Sequence, residues 1–179
     1  MTRKNTVNCA IAGLGRIAVT LEDDPLREKP ASHLGAVEYN HDTALCGASD
    51  PDGEKRDAFA GRCPDCPVFE DTAEMIHRVK PDILHIASDT DSHMPILKEA
   101  LVQKIPVVVC EKPLANSLEE AEALLPLVDG SESSVLVNHE RRFSRDYQEV
   151  HGLIREKAYG KLLGINARLY MGATGRAVP

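Results

Sequence analysis

Tryptophan is absent from this 179-residue chain, and aromatic residues of every kind make up only 4% of it. Proteins that hold single-stranded nucleic acid stack its bases on aromatic faces, and few are available here. Positive charge is also short. Lysines and arginines number 21 against 28 aspartates and glutamates, for a formal net charge of −7, which opposes binding to a phosphate backbone. No apolar run approaches the roughly 18 residues of a membrane span. The opening Met1-Thr2-Arg3-Lys4-Asn5 lacks the apolar segment and small-residue cleavage site of a secretion signal. A soluble, cytoplasmic protein with no nucleic-acid or membrane partner is expected.

Cysteine offers little chemistry either. The five cysteines are an odd number, and Cys9, Cys46 and Cys110 sit inside apolar runs, as small buried hydrophobes of a reducing compartment do. Cys63-Pro64-Asp65-Cys66 has the spacing of half a zinc site or a redox pair. No second pair with finger-like spacing follows, and Pro67-Val68-Phe69 stands where a redox pair would open a helix. A loop without metal is expected.

What the chain does contain is hydrophobic residues at 42%, enough for an ordinary core, and one organising stretch. Val7-Asn8-Cys9-Ala10-Ile11-Ala12 reads as a buried strand and runs into Gly13-x-Gly15-x-x-Ala18. This is the G-x-G-x-x-G/A pattern of a strand turning into a helix at a dinucleotide pyrophosphate. Gly13 permits the turn, Gly15 lets the backbone approach the phosphates, and Ala18 lets helix and strand pack. The helix N-terminus offers unpaired N–H groups to the anion. Val19 to Pro30 then reads as a loop inserted in the first crossover, with helical pattern resuming at Ala31 to Val37.

The strand Thr43 to Ser49 ends at Asp50, where the ribose-binding acid of such a fold belongs, delayed by the insertion. Asp50-Pro51-Asp52-Gly53 is equally a good turn, and the turn would present the carboxylate. Helical pattern covers 54–61, a short strand 67–69, and Asp71-x-x-Glu74 resembles a capping box. Strands follow at 82–87, where His85 reads as a satisfied core histidine, and at 105–110, the most apolar run. Ser117-x-x-Glu120 opens a helix that Pro126 bends or ends. Ser134 to Asn138 is another strand. Residues 144–157 form an amphipathic helix with Tyr147, Val150, Leu153 and Ile154 inward, and Leu162 to Met171 reads as a last strand. Alternating strands and helices predict an α/β fold, a doubly wound parallel sheet covered on both faces.

Four segments in order, Gly13-Leu14-Gly15-Arg16-Ile17-Ala18, Ser49-Asp50-Pro51-Asp52, Ile86 to His93 and Glu111-Lys112-Pro113-Leu114-Ala115, resemble the Gfo/Idh/MocA family. These are NAD(P)-dependent enzymes of the glucose–fructose oxidoreductase and inositol 2-dehydrogenase type. Asn138-His139-Glu140-Arg141-Arg142-Phe143 looks like the family's linker into a second domain. Ser88-Asp89 departs from the more usual Thr-Pro.

The resemblance implies a Rossmann domain over 1–140, with 141–179 as the linker helix and first strand of an incomplete α+β substrate domain. It places Gly13, Gly15, Arg16 and Ile17 at the pyrophosphate and Asp50 at the adenosine ribose. Ser88, Thr90 and His93 lie along the dinucleotide, and Glu111 and Lys112 near the nicotinamide ribose. Lys112 is the implied catalytic residue, its pKa lowered in a dry cleft so that it assists proton transfer. NAD is expected ahead of NADP because Asp50 would repel a 2′-phosphate, an effect that Arg56 softens. The implied substrate is a sugar or cyclitol, and a homo-oligomer is compatible. The family's Asp-x-x-x-His pair from the second domain has no counterpart, since Asp89…His93 lies in the cofactor loop. A dinucleotide-binding module without catalysis, or a degenerate remnant, therefore stands beside the oxidoreductase reading.

Overall fold

The computed structural model describes residues 6–168. Up to His139 the chain forms one compact unit, and a second begins at Glu140. The first unit holds six strands: β1 (Val7–Ala12), β2 (Thr43–Ser49), β3 (Val68–Phe69), β4 (Ile83–Ile86), β5 (Val107–Glu111) and β6 (Ser134–Asn138). Between them lie α1 (His33–Tyr39), α2 (Gly53–Arg62), α3 (Thr72–Val79), α4 (Thr90–Val102) and α5 (Leu118–Asp129). Every strand pair is parallel. The order is β3-β2-β1-β4-β5-β6, so the winding reverses between β1 and β4, where open α/β sheets bind ligands beyond the strand C-termini.

Side-chain alternation divides the core. Ala10, Ala12, Leu84, Ile86, Val108 and Cys110 face α3, α4 and α5 through Met75, Ile76, Leu97, Ala100 and Leu124. On the opposite face Ile11, Ala48 and Ala87 pack with Leu34 of α1, Phe59 of α2, and Ala18. The capping signals act as read: Asp71 accepts from Glu74 N at 2.7 Å and Ser117 Oγ from Glu120 N at 3.2 Å. Pro126, however, sits inside α5, which continues to Asp129.

The crossover after β1 departs further from expectation. Gly15 to Val19 makes one helical turn, with Val19 N bonded to Gly15 O at 3.0 Å, and no continuous helix follows. Instead His33 N donates to Ile17 O at 3.2 Å and Leu34 N to Ala18 O at 2.9 Å. Both bonds span sixteen residues where an α-helix spans four, so twelve residues are looped out in register. A short 3₁₀ turn (Thr20–Asp23) opens this excursion. Glu22 closes it by accepting from Ala31 N, Ser32 N and Ser32 Oγ at 2.7–2.9 Å.

In the second unit a 3₁₀ turn (Glu140–Phe143) precedes α6 (Arg145–Arg155). Tyr147, Val150, Leu153 and Ile154 are not an inner stripe, being 39–57% exposed. Among the described residues from Glu140 on there is no sheet or second α-helix to cover them. The expected strand is not formed over 162–168, and its remainder, like Met1 to Asn5, lies outside the described residues. Among the described residues no helix is long and apolar enough to cross a membrane.

Candidate functional site

The C-terminal ends of β1, β2 and β4 border a cleft of about 500 Å³ lined by Gly13, Gly15, Asp50, Lys55, Ser88 and Ile96 among others. Its size suits a nucleotide-sized ligand. The two glycines differ in what surrounds them. Gly13 has φ +90°, and a Cβ there would stand 2.5 Å from Ser88 N. A Cβ on Gly15 would meet nothing within 4 Å, so that backbone is bare toward the cleft.

Asp50 is buried at the end of β2. Its Oδ2 accepts from Leu14 N at 2.8 Å, and Oδ1 from Asp52 N at 2.9 Å. The carboxylate thus braces the glycine turn. An ionised carboxylate has about four lone-pair sites, which leaves capacity for ribose hydroxyls. Lys55 Nζ lies 3.6 Å from Asp50 Oδ2. Arg56 is committed elsewhere, donating to Asp50 O and Pro51 O and pairing with Glu70. Lys55, not Arg56, is the cation on the cleft wall.

Only Gly13, Gly15, Asp50 and Ser88 of the expected site residues line this cleft. Arg16 is exposed beside it, Ile17 packs partly into the core, and Thr90 is half-buried as the first residue of α4. His93 is 1% exposed. Its Nδ1 lies 2.9 Å from Pro113 O and its Nε2 3.1 Å from Ser88 O. Both partners are carbonyl oxygens, so whichever ring nitrogen carries the hydrogen donates to one of them, and the buried ring packs between the β4 loop and the β5 loop.

Glu111 also turns inward. At 4% exposure its Oε1 accepts from Asn138 Nδ2 at 2.6 Å and lies 3.1 Å from His33 Nε2. Oε2 accepts from Lys112 N at 3.3 Å. Burial pushes this carboxyl's pKa up, but hydrogen bonds from His33, Asn138 and Lys112 N outweigh it and hold it below the ordinary range. His33 Nδ1 lies 3.0 Å from His85 Nδ1. Burial, aided by His33, lowers His85 to about 4. Lys112 itself is exposed one residue past β5, so the described residues do not supply the dry cleft expected around it.

Sequence reasoning missed His33 and Asn138. Asn138 had only a partial signal, as the polar residue closing an apolar strand; its place opposite Glu111 comes from the parallel register. Burial raises the thiols of Cys9 and Cys46 to about 11 and of Cys66 and Cys110 to about 12, and raises Cys63 as well, which disfavours the reactive thiolate. Among the described residues no cluster of three or more His, Cys, Asp or Glu side chains could hold a metal ion.

A family model described as an oxidoreductase family with an NAD-binding Rossmann fold matches residues 7–139. The chain belongs to this Gfo/Idh/MocA family. Inositol 2-dehydrogenase 4 of Saccharopolyspora erythraea is 32% identical over 124 residues, 67% of this chain and 36% of its own length. Inositol 2-dehydrogenase of Pseudarthrobacter chlorophenolicus is 25% identical over 163 residues, 88% of this chain and 44% of its own. An oxidoreductase from Agrobacterium radiobacter, solved with NAD+, L-tartaric acid and magnesium, has the same fold with a TM-score of 0.74 at 21% identity. That match covers 87% of this chain and 42% of the other. The chain spans less than half the length of the relatives it matches. The family's NAD fits the residues present: the backbone at Gly15 is open and the Asp50 carboxylate retains free lone pairs.

Proposed function

We propose that this chain is the cofactor-binding part of an NAD-dependent oxidoreductase that acts on a hydroxyl or carbonyl carbon of a cyclitol or sugar. The observation that carries the reading is the buried Asp50 carboxylate, clasping Leu14 N at 2.8 Å around the open backbone at Gly15. Gly13, Gly15, Arg16 and Ile17 would hold the pyrophosphate and Asp50 the adenosine ribose. Ser88 and Thr90 would follow the dinucleotide toward β5. Bound NAD would supply the hydride acceptor. Lys112 would take the proton of the substrate hydroxyl, or return it in the reverse direction. His93 and Glu111 support this surface from below.

Lys112 is exposed here, and proton transfer by a lysine calls for a site closed to water. The cover is expected from a substrate domain, of which residues 141–179 would be the start. The cyclitol or sugar class follows the names of the relatives. NAD is favoured over NADP because Asp50 repels a 2′-phosphate and Arg56 is already engaged; Lys55 is the residue that would moderate this.

The exposure of Lys112 also favours a second reading, a dinucleotide-binding module without catalysis. Calorimetric titration with NAD+ and NADP+ tests the cofactor site that both readings share. Turnover of myo-inositol by a chimera of this chain with a relative's substrate domain separates them, since only the oxidoreductase reading expects activity there that Lys112→Ala abolishes. The 179-residue chain is expected to bind NAD+ weakly and turn over nothing. Equal or tighter NADP+ binding would remove Asp50 as the selector. Lys112-dependent turnover by this chain alone would show that a second domain is dispensable.

A further inference from the structure

Most of the sheet face beneath α1 is apolar, with Ile11, Leu34 and Ala48 in contact. Under the end of β5 it is polar. His85, His33, Glu111 and Asn138 form a continuous hydrogen-bonded row there, in which His33 and Glu111 are each about 6% exposed at the side chain. Buried polar groups cost stability unless each finds a partner, and a wholly apolar packing would avoid that cost.

The protons of this row can be assigned by chemistry. An ionised carboxylate only accepts, so the nitrogen that His33 turns toward Glu111, Nε2, must carry a hydrogen. In neutral His33 the Nδ1 is then bare, and His85 must donate from its own Nδ1. With His33 neutral every donor points one way, from His85 through His33 to Glu111, where Asn138 Nδ2 and Lys112 N add two more. With His33 protonated its Nδ1–H donates to His85 instead, and in both states Nε2–H faces Glu111. The backbone N–H of His33 also donates to Ile17 O. One residue thus ties the glycine turn, where the pyrophosphate is proposed to lie, to the carboxylate that holds Lys112.

We propose that His33 is a positioning residue for Lys112, fixing through its Nε2–H the Glu111 carboxylate that holds the Lys112 backbone in register with the glycine turn. The proposal rests on the reading of Lys112 as the proton-transfer group. It makes Glu111 a support that does not touch cofactor or substrate.

The test compares the unaltered chain with His33→Leu, which keeps bulk without a donor, and His33→Gln, whose amide nitrogen can reach where Nε2 stood. In the unaltered chain, nitrogen-15 shifts at pH 8 should show His33 protonated at Nε2 and His85 at Nδ1; a bare His33 Nε2 overturns the proposal even if no variant folds. In His33→Leu the Glu111 carboxyl, followed by carbon-13 NMR, should titrate about one unit or more higher. The Lys112 amide should exchange at least about tenfold faster, and His33→Gln should restore both. Unchanged Glu111 titration in His33→Leu, or failure of His33→Gln to restore either readout, overturns it. Titration of NAD+ into the same samples keeps the two readings apart. If the unaltered chain binds no NAD+ while the Glu111 and Lys112 readouts behave as stated, the cofactor reading fails and the positioning role stands.

Discussion

Gly13 and Gly15 stand two residues apart in one turn and should fail in opposite ways. At Gly13 a Cβ would lie 2.5 Å from Ser88 N, 2.6 Å from Ser88 Cα and 2.7 Å from Ala87 C. All three are backbone atoms, which no rotamer change can move aside. The left-handed φ of +90° adds roughly 1–2 kcal/mol for any residue with a Cβ, and overpacking adds roughly 1–3 kcal/mol. Gly13→Ala should therefore destabilise the chain by about 2–5 kcal/mol, a melting-temperature drop of roughly 4–20 °C at this size. Gly15→Val meets open space and should stay within about 1 kcal/mol of the unaltered chain. It should weaken NAD+ binding by at least about tenfold, because the new methyl groups stand where the pyrophosphate approaches. Urea melts and calorimetric titration of both variants provide the comparison. Near-normal NAD+ affinity in Gly15→Val with an unchanged melt would show that no phosphate lies against that backbone. An unchanged melt in Gly13→Ala would show that the β1 and β4 loops are not locked together.

Acid should weaken the fold through His85. Its native pKa of about 4 lies below the ordinary 6.5, so the unfolded chain binds the extra proton between those values. This contribution is fully present above pH 6.5 and is lost as pH falls toward 4, by about 3 kcal/mol. Urea melts across that range should show the loss, and His85→Leu should flatten it; an equally steep profile in the variant refutes the assignment. Asp50→Asn puts an amide where two backbone N–H groups need an acceptor. It should cost about 1–3 kcal/mol even without cofactor, and narrow any preference for NAD+ over NADP+ in titration. Glu22→Ala removes the acceptor shared by Ala31, Ser32 N and Ser32 Oγ, so limited trypsin digestion should cut faster after Arg27. An unaltered cleavage rate would mean the excursion is held by something else, such as the Arg62–Asp23 pair.

The six strands of the sheet were legible because each announces itself locally: Val107 to Cys110 is an unbroken apolar run, and Asp71 and Ser117 cap the helices they precede. The turn at Gly13 was legible because its glycine spacing is local, and Asp50 because it ends the next strand, although twelve looped-out residues lengthen the crossover between them. What escaped was whatever depended on pairing between distant segments. His33 meets Glu111 only because a helix is interrupted and resumed in register, and Asn138 meets it only through the alignment of β5 with β6. Arg56 looked like a candidate cation for the cofactor, but its guanidinium is used up by Asp50 O, Pro51 O and Glu70. The stripe on α6 had sound helical spacing. Periodicity identifies a face without naming what covers it.

The looped-out dozen in the first crossover also marks a joint. Because His33 N and Leu34 N bond back to Ile17 O and Ala18 O, the two sides of the excursion are held together at its base, and its exposed tip is free to vary in length at little cost in closure entropy. The exposed tip at residues 25–29 could be exchanged for a folded guest whose termini lie close together. Such a guest would ride on the segment that carries both the glycine turn and His33. Its two attachment points would then feel directly any tightening of that turn around a bound dinucleotide, which makes the joint a ready place to seat an optical reporter.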